Sequence, residues 1–148
     1  IEELDLERFM GKWYVLAARG TGPEAEAYNS LEIYTWNEEK ERIDIDFTFN
    51  DKGFEGKKKS IPQKGWIENE QTKAHWKVSP FWPLKFNYLV IDIDPDYEWV
   101  IIGVPSQKWV WIMARDWKAS EAKINNLIDR VKKLGYRHDD IRVVPQKW

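Results

Sequence analysis

The strongest constraint on this chain is an alternation of apolar and polar residues that recurs along most of its length. In Ile43-Asp44-Ile45-Asp46-Phe47-Thr48-Phe49, the two isoleucines and two phenylalanines share one face, and Asp44, Asp46 and Thr48 take the other. A period of two is that of an extended strand, buried on one side and wet on the other. Turn chemistry at 37–41, 50–56, 68–73, 94–96 and 105–107 cuts the chain into segments of this kind. Eight strands are predicted, over 12–19, 28–36, 42–49, 59–67, 74–79, 86–93, 97–103 and 108–115. Pro62 marks the fourth as an edge or bulged strand. After Ser120 the period changes. Ile124, Leu127, Ile128, Val131 and Leu134 recur at three and four, so a helix begins at the Ser120 N-cap and ends at Gly135. A short extended tail over 141–144 follows.

Consecutive short strands with one terminal helix place the chain in the all-β class, with an antiparallel sheet. Eight strands curl, close or split into a sandwich. Closure leaves an interior that side chains fill or that holds one small ligand. At 148 residues, without linker or repeat, residues 1–148 form one domain. Ten tryptophans are more than a core of this size needs, so the surplus serves an over-filled core, a ligand cavity or an interface. With 23 basic and 25 acidic residues, the chain has no field to steer nucleic acid, and 57–59 and 132–133 read as solvated lysine runs. The absence of cysteine excludes disulfides and thiolate metal sites. The longest apolar runs, such as 88–91, fall far short of the ~20 residues of a membrane-spanning helix.

Three stretches carry a family resemblance over nearly the whole chain. Asp5-Leu6-Glu7-Arg8-Phe9-Met10-Gly11-Lys12-Trp13-Tyr14 resembles the opening Gly-x-Trp-Tyr signature of lipocalins, Asp96-Tyr97 their turn pair, and Trp111-Ile112-Met113-Ala114-Arg115 their last-strand motif. The chain is most similar to the bacterial outer-membrane and apolipoprotein D-like branch of that family, through Lys77-Val78-Ser79-Pro80-Phe81-Trp82-Pro83 as well. The resemblance implies an eight-stranded up-and-down barrel with the helix packed outside, and a structural motif of Gly11, Trp13, Asp96, Tyr97 and Arg115. It also implies a hydrophobic guest such as a fatty acid or lysophospholipid, and the periplasm or outer membrane as compartment. Bacterial relatives are anchored through an N-terminal cysteine; this chain has none and shows no signal peptide, so it is expected to be soluble as given. Relatives place aromatics in the first loop, where this chain has Thr21-Gly22-Pro23-Glu24. That departure implies a wider entrance, and is also what a redesigned family member would show.

Phasing the alternation from Trp13 turns Val15 and Ala17 inward, with Arg19 near the rim. Phasing from Arg115 does the same for Met113, Trp111 and Trp109. Ile45, Phe47 and Phe49, with Ile43, come from the third strand; Trp76 and Val78, with Ala74, come from the fifth. On the second strand the resemblance favours inward Tyr34, which takes Glu32, Ser30 and Tyr28 with it; the opposite register buries Leu31 and Ile33. The expected chamber has apolar walls and few polar groups, as small-molecule pockets do. Burying about 300 Å² of apolar ligand surface gains ~7 kcal/mol before association costs. A flat aromatic guest suits the tryptophans equally. Against this, Trp36, Trp76, Trp109 and Trp111 are large enough to fill the interior if all point into it.

Other functions have weaker support. His75 and His138 form no Ser-His-Asp or metal constellation, and no phosphate loop or cofactor motif is present. The enzyme alternative, natural or engineered, uses a buried Glu32 as general base on a bound carbon acid. An interaction module would use outward Trp82, Trp99, Trp117 and Trp148 as an apolar patch. The expected partner is one small hydrophobic molecule, without cofactor, metal or nucleic acid, and the expected state is a monomer or weak dimer.

Overall fold

The computed structural model describes residues 2–20, 25–80 and 83–148. One turn of helix, α1 (Leu6–Phe9), is capped by the Asp5 carboxylate, which accepts from the Arg8 N–H at 3.2 Å. It leads into β1 (Gly11–Arg19), followed by β2 (Ala27–Asn37), β3 (Arg42–Asp51), β4 (Lys58–Ile67), β5 (His75–Ser79), β6 (Phe86–Ile93), β7 (Trp99–Gly103) and β8 (Val110–Ala114). Each strand pairs antiparallel with the next, and β1 pairs with both β8 and β2. The sheet therefore closes into an eight-stranded barrel and not a sandwich. Helix α2 (Glu121–Lys133) lies outside it, and a ninth strand, β9 (Arg142–Val143), adds to β1.

The period change at Ser120 has the expected cause. The Ser120 hydroxyl accepts from the Lys123 N–H at 3.1 Å, and Gly135, with φ +86°, follows the Leu134 C-cap in a conformation that favours glycine. Ile124, Leu127, Ile128 and Val131 pack against Ala17, Ile101, Val110 and Ile112 on the outer wall. Leu134, expected on the same face, is instead exposed. Because α2 covers this wall, β7 and β8 are apolar on both faces.

The barrel seam is shared. The first half of β1 (Gly11 to Tyr14) pairs with β2, whereas its second half pairs with β9. The tail continues that filling: Val144 donates its N–H to the Leu16 carbonyl at 2.8 Å, and the Gln146 amide donates to the Val15 and Ser30 carbonyls at 2.8 and 3.0 Å. Asn29, in the left-handed region at φ 51°, bonds to Pro145 through its backbone and to Lys147 through its side chain. Asparagine tolerates that conformation better than most residues.

Three bulges interrupt the alternation among the described residues, in β1, β2 and β6, and the first two overturn expected placements. One lies between Val15 and Ala17, where β1 carries an extra residue against β8. Beyond it Ala17 faces outward beneath α2, not into the barrel as alternation predicts. The second lies between Tyr28 and Leu31, where β2 carries an extra residue against β3. It turns Tyr28 away from the interior, edge-on to Phe54 at 5.0 Å and near the Arg142 guanidinium, while Ala27 becomes buried beside Phe47 and Phe49. A bulge shifts every later side chain to the opposite face, so both corrections have one origin. Pro62 has an edge position: among the described residues β5 pairs with Lys64 to Ile67 of β4, and Pro62 sits in the half paired to β3 alone.

Candidate functional site

The closed end of the barrel is a floor of rings. Phe9 packs against Trp13, Tyr34 and Trp76 at centroid distances of 5.3, 5.1 and 5.4 Å, and Trp76 stacks on Tyr88 at 4.6 Å with a 5° interplanar angle. Val15 and Met113 are buried in the same cluster. Both indole N–H groups are satisfied, Trp13 by the Phe9 carbonyl at 2.8 Å and Trp76 by the Lys73 carbonyl at 2.7 Å.

Arg115 holds this floor from beneath. Its Cζ lies 3.7 Å from the Trp13 ring centroid, and its nitrogens donate to the carbonyls of Lys12 at 2.8 Å, Arg8 at 2.6 Å, Phe9 at 3.1 Å and Tyr97 at 3.4 Å. Burial pulls the guanidinium down from its ordinary value and Glu98 opposes this. A planar donor fork suits carbonyls converging on it from several directions. Gly11, at φ +103°, supplies the backbone conformation and the clearance beside Arg115. Tyr97, itself at φ 58°, accepts the Asp5 N–H on its hydroxyl at 2.9 Å and presents its ring to Arg8 at 4.3 Å. The carboxylate that caps this turn is that of Asp94, which accepts from the Glu98 N–H at 3.2 Å; Asp96 is exposed.

Above the floor is a hollow of about 390 Å³. Glu32, Ile45, Phe47, Val78, Trp109 and Trp111, all expected inward, line it. Among the described residues, Ile61, Gln63, Pro80, Leu84, Phe86, Asn87, Tyr88, Ile102 and Val104 line it too, none of them an expected site residue. Leu84 and Phe86, 40% and 43% exposed, mark where the hollow meets solvent. Phe49 shares the buried face of Phe47, stacked on it at 5.2 Å, but does not line the hollow. Of the tryptophans able to fill the interior, Trp76 belongs to the floor and Trp109 and Trp111 to the walls. Trp36 lies toward solvent, its N–H donating to Glu38 at 2.8 Å.

The remaining expected residues lie elsewhere. Ser30 is buried at the seam, where its carbonyl serves Gln146. Arg19 donates to the carbonyls of Asp139 and Lys108, beside a second hollow shared with Trp109 and Arg142. Trp99 packs on the α2 side with the Arg130 guanidinium 4.8 Å from its ring, and Trp148 meets Tyr14 edge-on at 5.6 Å. The four proposed patch tryptophans therefore include one beneath the helix; Trp82 lies outside the described residues, as does the loop of Thr21, Gly22, Pro23 and Glu24.

Tyr34, Tyr88 and Glu32 meet at the base of the chamber. The Tyr34 and Tyr88 hydroxyls are 2.8 Å apart, and Tyr34 also hydrogen-bonds to Glu32. Tyr34 is pushed well above the ordinary tyrosine value of 10.0 by burial first, then by the Glu32 charge and by Tyr88; burial and Glu32 do the same for Tyr88. The folded state therefore holds both phenols protonated, whereas the unfolded chain releases their protons near pH 10. Their contribution to stability is full below about pH 10 and is lost as pH rises through the folded-state values. Urea midpoints measured between about pH 8 and about pH 11 are expected to fall across that window, and to fall less steeply in Tyr34→Phe/Tyr88→Phe. Equal slopes in the two proteins would show that the pair carries no such linkage.

Comparison with known proteins agrees with this geometry. Residues 4–146 match the family model of the lipocalin-like domain. The chain is 28% identical over 153 residues to temperature-induced lipocalin-1 of Arabidopsis thaliana, a match covering 99% of this chain and 81% of the relative. It is 23% identical over 151 residues to the outer membrane lipoprotein Blc of Vibrio cholerae, covering 99% and 85%. Among solved structures, lobster apocrustacyanin A1 superposes with a TM-score of 0.73 at 9% identity, over 96% of this chain and 79% of that one. Insecticyanin of the tobacco hornworm Manduca sexta gives 0.71 at 14% identity, over 97% and 82%. The structural likenesses show the fold, and the family match spans the motif residues at the barrel's closed end. On that match, the chain belongs to the lipocalin-like family.

Proposed function

We propose that the protein binds one small, predominantly apolar molecule non-covalently in the barrel and carries it without chemical change. The family is known for binding small hydrophobic ligands and its members are generally carriers, not enzymes. The observation that supports this most is the hollow itself, about 390 Å³ of space bounded mainly by aliphatic and aromatic side chains above a packed floor. That volume lies within the range of small-molecule sites. A single alkyl chain, as in a fatty acid or lysophospholipid, and a flat aromatic ring system are the guest classes that suit such walls. Glu32 is read as a group that orients the guest, held in place by Tyr34, and not as a general base.

No helix among the described residues is long and apolar enough to cross a membrane. The Vibrio cholerae relative is an outer membrane lipoprotein; a periplasmic or outer-membrane setting is proposed for this chain by that likeness, with a monomeric or weakly dimeric state.

Titration with the apolar fluorophore N-phenylnaphthylamine tests the carrier function. Saturable binding at one site per chain is expected, weakened about tenfold or more in Val78→Trp, whose indole takes up part of the hollow. Equal affinity in wild type and Val78→Trp, or no saturable signal in either, would refute binding in the barrel.

A further inference from the structure

The lining of the hollow is chemically one-sided. Among the described residues that form it, Glu32 is the acidic group, Gln63, Asn87 and Tyr88 are neutral polar groups, and none is a lysine or arginine. A guest carboxylate that entered head-first would meet like charge and find no cationic partner within the lining. Leaving a charge in an apolar chamber without a counter-charge is costly. A guest cation meets the reverse situation. Glu32 offers it a carboxylate on the wall of the hollow, beside Tyr34. The rings of Phe47, Phe86, Tyr88, Trp109 and Trp111 add electron-rich faces, which attract an ammonium group more strongly when water is excluded. The Tyr34–Tyr88 hydroxyl pair, 2.8 Å apart, sits beside Glu32, so a polar end of the guest belongs there and its apolar part against the walls.

We infer that the cavity prefers an amphiphilic cation, an apolar chain or ring system ending in a protonated amine, over a carboxylate of the same length, with Glu32 as the counter-charge. The inference rests on the apolar-cavity function proposed above and narrows the ligand to a chemical class.

Three probes of equal chain length test it: decylamine, decanol and decanoate, each displacing N-phenylnaphthylamine at neutral pH and below its micellar concentration. Decylamine is expected to bind about tenfold or more tightly than decanoate, with decanol between them. In Glu32→Gln the amine's advantage over decanol should shrink to within about twofold, whereas Glu38→Gln, which removes the same charge from the β2–β3 turn, should keep it. Binding of decanol with decanoate equal to or better than decylamine would overturn the cation preference and leave the cavity function standing. An advantage that persists in Glu32→Gln would overturn the role of Glu32. Failure of all three probes to bind would overturn the cavity function and the preference together. If Glu32→Gln does not fold, the order of the three probes on the wild-type protein decides the matter.

Discussion

Arg115→Ala is expected to lower the free energy of unfolding by about 3–5 kcal/mol, the largest loss anticipated from any single substitution outside the ring floor. Four carbonyls, of Arg8, Phe9, Lys12 and Tyr97, lose a charged donor at once, and the Trp13 face loses its cation at 3.7 Å. Hydrogen bonds to charged groups are worth about 1.5–3 kcal/mol each, and a partly desolvated cation over an indole contributes ~0.5–2 kcal/mol. The sum falls short of simple addition because water reaches part of the vacated site. Arg115→Lys should recover only part of the loss, since an ammonium is a point charge and cannot span carbonyls arranged for a planar fork. Urea unfolding of the three proteins gives both numbers. A loss below about 1 kcal/mol in Arg115→Ala would mean that the closed end is held by ring packing alone.

A chain ending at Asp140 tests the seam. It lacks β9 and everything after it, so the Leu16, Val15 and Ser30 carbonyls and the Asn29 N–H lose the partners supplied by Val144, Gln146 and Pro145. The buried Val144 side chain is lost as well. Part of this gain in the full chain is offset by the entropy of ordering the tail. A net loss of roughly 2–4 kcal/mol is expected. The distinguishing readout is hydrogen exchange. Amides in the second half of β1 and in β2 around Asn29 should exchange much faster, while those of β5 and β6, across the barrel from the seam, change only with global stability. The bared edges should also promote self-association. Unchanged protection at Leu16 and Asn29 would show that the tail rests on a seam already closed without it.

The strands were readable in the sequence because one face of each is usually wet. Segment 42–49 alternates cleanly and falls within β3, and the predicted limits of the other strands lie within two residues of those observed. What alternation does not reveal is a bulge inside a segment apolar on both faces. Val15, Leu16, Ala17 and Ala18 give no contrast by which an extra residue shows, since α2 covers the outer wall there. The Ala17 placement failed for that reason. In Tyr28-Asn29-Ser30-Leu31 a signal does exist, an asparagine suited to positive φ inside a strand, but it gains meaning only once the tail that bonds to it is placed. The site residues of β4 and β6 had a period-two signal as well, Ile61 and Gln63 around Pro62, and Phe86 and Tyr88 before Val90. Proline and the mixed polarity of these stretches obscured it. The inward turn of Glu32 followed from Tyr34, and Tyr34 is placed by the ring floor more than by its own strand.

Carriage requires a hollow that stays open above that floor and admits one guest. Native mass spectrometry of the freshly purified chain, before and after incubation with excess decanol, tests this most directly. A single small-molecule adduct on the 17.7 kDa chain is the predicted result, at one per chain and absent after denaturation. The bare chain under both conditions, or a ladder of adducts without a preferred first one, would contradict it.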